Sequence, residues 1–213
     1  YIEMPELVSK VLKLGSALLL YTITETGESD FIDVYLRKLF RVFETIPEDY
    51  TDPDEIDALK NNVSTAFDII RDLALIKFTG FDECCNDLLH FCIKAITRQL
   101  PVSVDFTEAE FRYDPEIIDP ANEAAAEIIK NYGDKLTCVE EFIQTICSII
   151  GKVSESEKCS MFGVFAYLPR VCSAIPEEIM QLALGSLQLC NFTHSPEPFD
   201  FFIEMVHGGQ EVP

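Results

Sequence analysis

At 213 residues the chain can bury about two-thirds of its unfolded surface, in one ordinary-to-large domain or two small ones. A hydrophobic fraction of 48% and a mean hydropathy of +0.14 argue against general disorder, and only 9 glycines argue against an all-β chain built on Gly-rich turns. With 16 basic against 37 acidic residues, a net charge of -21, direct binding to nucleic acid or an anionic membrane is disfavoured, which leaves a protein or peptide partner of basic character, or acids that simply keep the fold soluble.

In chain order, Met4-Pro5-Glu6 opens a first helix, since proline suits the first helical turn. Leu7, Val8, Val11, Leu12, Leu14, Leu18 and Leu19 recur at helical spacing. The most apolar early run, Leu14 to Ile23, falls short of the ~20 residues that a bilayer span requires. After the punctuation around Gly27, a second helix is expected over about Asp30–Glu44, with Tyr35 and Leu39 on its apolar side, making an antiparallel hairpin. The connector Glu44 to Asp57 carries seven acids and no base, and Asp52-Pro53-Asp54-Glu55 within it reads as a helix start with Asp52 as N-cap.

The third helix should then reach about Lys77 with Val63, Phe67, Ile70, Leu73 and Ala74 inward. A break at Thr79-Gly80-Phe81 precedes a fourth helix to about Leu100, with Cys85, Leu88, Leu89, Cys92, Ile93 and Ile96 on one face. Residues 101–119 read as a long acidic loop dividing subregions 1–100 and 120–207, and loops of that length tend to be functional. Asp119-Pro120 is expected to restart regular structure, with a fifth helix over about Ala121–Tyr132 capped by Gly133. Thr137-x-x-Glu140 and Ser154-x-x-Glu157 read as capping boxes for a sixth and a seventh helix. Ile175-Pro176-Glu177 opens the eighth and Ser195-Pro196 the ninth, with Phe199, Phe202, Ile203 and Val206 as its apolar face.

The pattern predicts a single all-α domain over 1–213, about nine helices in antiparallel hairpins. Hairpins that are apolar on both helices suit stacking into an irregular HEAT-like α-solenoid; a closed helical bundle is the alternative. The stretch Val139 to Phe192 carries Phe142-x-x-x-Ile146, Ser156-Glu157-Lys158-Cys159, Phe165-Ala166-Tyr167-Leu168 and Pro176-Glu177-Glu178-Ile179. In these it resembles a HEAT-type repeat region of the karyopherin-β transport receptors and related scaffolds. The first-helix proline and second-helix Asp or Arg of such repeats are not consistently placed here. The resemblance implies a protein-binding scaffold.

Chemistry is hard to find in the sequence. Cys84-Cys85, His90 and Cys92 form the one tight Cys/His cluster, but no C-x-x-C pair exists and His194 and His207 are distant, so packed thiols are expected rather than a metal site. Eight cysteines embedded in apolar helices point to reduced thiols and to the cytoplasm or nucleus. Tyr1-Ile2-Glu3-Met4 lacks the basic n-region of a signal peptide, and a start at Tyr1 suits a piece excised from a longer protein. Asn62-Val63-Ser64 and Asn191-Phe192-Thr193 match the glycosylation pattern by chance composition. The aromatics Phe162, Phe165, Tyr167, Phe199, Phe201 and Phe202 line either a core or a peptide groove, with one of Phe201 and Phe202 facing away from a one-sided core.

These features lead to a non-enzymatic interaction scaffold without catalytic residues, cofactor or metal. Its expected partner contacts are the acids Asp49, Asp52, Asp54, Glu55, Glu108, Glu110, Asp114 and Glu116, whose negative potential would attract a basic segment. The rival is a homodimerisation module that pairs exposed apolar helix faces.

Overall fold

The computed structural model describes residues 5–26, 35, 39, 53–77, 79–96, 115–150, 164–172, 174–189 and 197–209. Among these residues the protein is all-helical and has no strand. Seven α-helices are delimited: α1 (Pro5–Thr26), α2 (Pro53–Ile76), α3 (Cys85–Ile96), α4 (Pro115–Tyr132), α5 (Val139–Ile150), α6 (Glu177–Leu189) and α7 (Glu197–His207). Tyr35 and Leu39 are helical and buried, while the rest of the expected second helix and the expected seventh up to residue 163 lie outside the described residues; Val164 and Phe165 are helical and buried.

Helix α2 is the centre of the packing. It lies against α1 on one side and α4 on another; α3 also packs on α4 and touches α5. Burial on more than one side explains why α2 encloses Asn62, Thr65, Ala66 and Ile69 as well as the expected stripe of Val63, Phe67, Ile70, Leu73 and Ala74. Small residues on α4, Ala121, Ala124 and Ala125, are fully buried and let the helix backbones approach closely. All six predicted inward residues of α3 are buried. Beyond α5, the 3-10 turn Leu168–Arg170 packs on α7, and α7 packs on α6. One hydrophobic core runs through the elements, from Leu12 to Met205.

Three expected element boundaries move. Helix α4 starts at Pro115, so the acidic segment is shorter than predicted and Pro120 sits inside the helix. Proline there removes one N–H from the second turn. The apolar series Ile117, Ile118, Ala121, Ala125, Ile128, Ile129 and Tyr132 is continuous across it, and burial of that stripe outweighs the missing hydrogen bond. Gly133 does not take the left-handed conformation of a glycine cap; it opens the short 3-10 turn Gly133–Lys135. A Cβ at Gly133 would lie 2.1 Å from Val171 Cγ1, so its lack of a side chain makes room for that neighbour.

The third change is at Thr137, which forms no capping box. Its amide and hydroxyl both donate to Asn86 Oδ1, at 2.8 and 3.2 Å, and α5 begins only at Val139. Asn86 Nδ2 in turn donates to the Lys135 carbonyl at 3.2 Å, so one amide side chain stitches the start of α3 to the α4–α5 connection.

Candidate interaction surfaces

Helix α1 is fixed to the core along one stripe only. Ser9, Leu12, Ser16 and Leu19, spaced for one helix face, are buried. The Ser9 amide donates to Asn62 Oδ1 at 3.0 Å and Asn61 Nδ2 to Ser9 Oγ at 3.3 Å. Tyr35 Oη donates to the Leu12 carbonyl at 2.8 Å, and its ring lies where a Cβ on Gly15 would come within 2.6 Å. Asn62 is thus enclosed, which removes it as a glycan acceptor.

The opposite side of α1 is apolar and open. Leu7, Val11, Leu14, Leu18 and Tyr21 are 43%, 54%, 64%, 55% and 67% exposed. By sequence, Leu7, Val11, Leu14 and Leu18 form one helically spaced series with Leu12 and Leu19, without Tyr21; the structure separates two stripes and buries the one built on serine and leucine. Over Leu7–Glu25, 19 residues, α1 is long and apolar enough to cross a membrane by length and composition, contrary to the reading from Leu14 to Ile23, and 22% of that stretch is buried.

Helix α7 is corrected in the same sense. Phe201, Glu204 and Met205 are its buried residues and Phe202 packs against the core, edge-on to Phe201 with ring centroids 5.4 Å apart. Both members of the Phe201-Phe202 pair therefore turn inward, while Phe199, Ile203 and Val206 of the predicted inner face are exposed.

The acidic residues are less organised. Asp54 is exposed in the first turn of α2 and Glu116 in the first turn of α4, where each opposes the positive end of a helix dipole. Glu55 lies in the same turn of α2, and Asp49, Asp52, Glu108, Glu110 and Asp114 lie outside the described residues. Arg71 of α2 reaches Glu123 of α4 at 2.5 Å and Asp68 at 3.3 Å. From that contact, Asp54 is about 25 Å back along α2 and Glu116 about 10 Å back along α4. The two acids are therefore about 15 Å or more apart in axial position and do not share one patch.

The thiols are packing groups. Six of the described cysteines are free. Burial pushes the Cys84 thiol up to about 12 and the Cys172 thiol up to about 11, and it raises fully enclosed Cys92 as well. Cys84 and Cys85 donate weakly to the carbonyls of Phe81 and Asp82, at 3.4 and 3.3 Å. Thiols held protonated in this way are poor nucleophiles and poor ligands. Among the described residues no group of three or more His, Cys, Asp or Glu side chains is placed to hold a metal.

An open hollow of about 650 Å³ lies beside the 3-10 turn, lined by Pro169, Arg170, Cys172, Ile175, Met180 and Met205. Among the described lining residues the one cationic side chain is already engaged. Arg170 makes a two-pronged contact with Glu204, Nη2 to Oε1 at 2.6 Å and Nε to Oε2, and lies 5.2 Å from the centre of the Tyr167 ring. That guanidinium holds the Glu204 carboxyl below the usual carboxylate range. Lys130 of α4 lies over the same ring at 5.1 Å, so the group ties α4, the turn and α7 together.

The residue set missed in the sequence is therefore the outer stripe of α1. Its signal was present in the alternating four- and three-residue spacing of Leu7, Val11, Leu14, Leu18 and Tyr21. Compared with known proteins, the chain matches no family model, no curated protein and no solved structure.

Proposed function

We propose that the chain is a non-enzymatic protein-interaction module, a helical scaffold whose principal contact surface is the outer side of α1. The observation that carries this reading is the row Leu7, Val11, Leu14, Leu18 and Tyr21, open on a helix whose other side is anchored by buried hydrogen bonds. A contiguous apolar strip of this kind marks an interaction site, whereas singly scattered apolar residues do not. The side-by-side row α1, α2, α4 is compatible with irregular HEAT-like stacking, in which neighbouring hairpins bury what one unit leaves open. The charge of -21 adds long-range attraction for a basic protein or peptide, an attraction that weakens as salt rises. Free, packed thiols suit a reducing compartment, cytoplasm or nucleus.

Binding of the dye 1-anilinonaphthalene-8-sulfonate to the native protein tests the surface. At a concentration low enough to keep the chain monomeric, the expected result is fluorescence enhancement that the double substitution Leu14→Glu/Leu18→Glu removes while the helical circular dichroism spectrum is kept. Equal dye binding by both proteins would sink the assignment of α1 as the contact face.

A further inference from the structure

We infer that the occupant of the α1 stripe is a second copy of this chain, paired antiparallel through α1; this rests on the reading of that stripe as a contact surface. The spacing of the stripe specifies the kind of partner. Steps of 4, 3, 4 and 3 residues from Leu7 to Tyr21 follow the 3.5-residue repeat of a helix-on-helix seam, with Leu7, Leu14 and Tyr21 at one core position and Val11 and Leu18 at the other. A flat or irregular partner would not require that period. A partner helix does, because it keeps the seam facing one neighbour along its length.

The charges at the ends of the seam choose both the partner and the direction. Between Leu7 and Ile23 the charged residues are Lys10 and Lys13, and the next is Glu25, which falls on the seam one step beyond Tyr21. Lys10 and Glu25 are exposed. Parallel pairing in register would press Glu25 of one copy against Glu25 of the other. Antiparallel pairing about a point near residue 16 instead layers Leu14 on Leu18 of the second copy and Val11 on Tyr21 of the second copy. It also brings Glu25 of the second copy to Leu7, one turn from Lys10. The two-fold axis repeats that opposite-charge contact, so a single helix is complementary to itself. Opposite charges flanking an apolar seam are what set orientation in paired helices.

The area suffices. Five side chains about half exposed offer on the order of 500 Å² per copy, hence on the order of 1,000 Å² for the pair, the size at which a specific interface becomes tenable. A lipid surface fits less well. The buried contacts of Ser9, Ser16 and Tyr35 hold one side of α1 to the core, so the helix is not free to be surrounded by lipid.

Sedimentation velocity on the full chain at micromolar concentration, with matched variants, is the test. The expected wild-type species has twice the chain mass. Leu14→Glu/Leu18→Glu is expected to weaken association at least about 100-fold with the helical spectrum kept, because it puts carboxylates into the seam. Lys10→Glu should weaken it about fivefold, and Lys10→Glu/Glu25→Lys should restore it, since the charge pair is re-formed with its signs exchanged. A wild-type monomer, or a dimer indifferent to Leu14→Glu/Leu18→Glu, would overturn the pairing. A dimer that the double charge exchange fails to restore would overturn the antiparallel register. A monomer whose stripe still binds the dye would sink self-pairing but keep the contact surface, as would a monomer that floats with phosphatidylcholine vesicles. A monomer that does neither would sink both.

Discussion

The thiols show how a reactive residue type becomes structural. Cys85 and Cys92 lie two turns apart on the buried side of α3, and among the described residues no cation acts on them to stabilise a thiolate. This was legible beforehand, because their spacing matched that of Leu88, Leu89 and Ile96. Burial raises the thiols above their ordinary value of 9.0 and lifts the hydroxyls of Tyr35 and Tyr132 to about 12. A group with a raised folded pKa gives up its proton more readily when unfolded. The stability these thiols and hydroxyls contribute should therefore be level below about pH 9 and fall as pH rises toward about 12. Urea midpoints measured across that range check it, with thiol reagent counts showing Cys84, Cys85 and Cys92 protected until unfolding. A midpoint unchanged up to pH 11 would contradict the account. Elsewhere residue type alone misled: Gly133 looked like a helix cap but is small because Val171 needs the space.

At the scale of elements, helix starts were readable where local chemistry acted alone. Pro53 opens α2 and Glu177 opens α6, as capping and proline preferences dictate. The start of α4 was not readable, because Asp114-Pro115 and Asp119-Pro120 carry the same local signal. Only the burial of Ile117 and Ile118 against neighbouring helices decides for the first. The Thr137 box failed for a similar reason: Asn86, 51 positions away, competes for the same groups. The α4–α5 corner offers a quantitative check. Gly133→Ala should destabilise by about 1–3 kcal/mol through overpacking on Val171, and Val171→Ala added to it should recover part of that loss. Additive losses in a urea double-mutant cycle would show that the two residues are not in contact.

At the scale of the whole molecule, the sequence established an all-helical chain with a substantial core, but not which apolar stripe of a two-striped helix belongs to that core. On α1 the row Ser9, Leu12, Ser16, Leu19 is less hydrophobic than the row Leu7, Val11, Leu14, Leu18, Tyr21, yet the first is buried. Its small hydroxyl residues allow α2 to come close, Ser9 is held by Asn61 and Asn62, and Gly15 admits the Tyr35 ring. Those partners lie 20 to 53 positions away, beyond the reach of local periodicity. Of the expected acidic contacts, Asp54 and Glu116 stand at the starts of two different helices, and most of the others lie outside the described residues.

Helix α1 is a core helix on one side and carries an open apolar row on the other. Urea unfolding of Leu12→Ala and Leu14→Ala, at a concentration low enough to keep the chain monomeric, tests it most directly. The account predicts a loss of about 2–4 kcal/mol for Leu12→Ala and less than about 0.5 kcal/mol for Leu14→Ala, two positions apart on the same helix. Comparable losses at the two positions would contradict it.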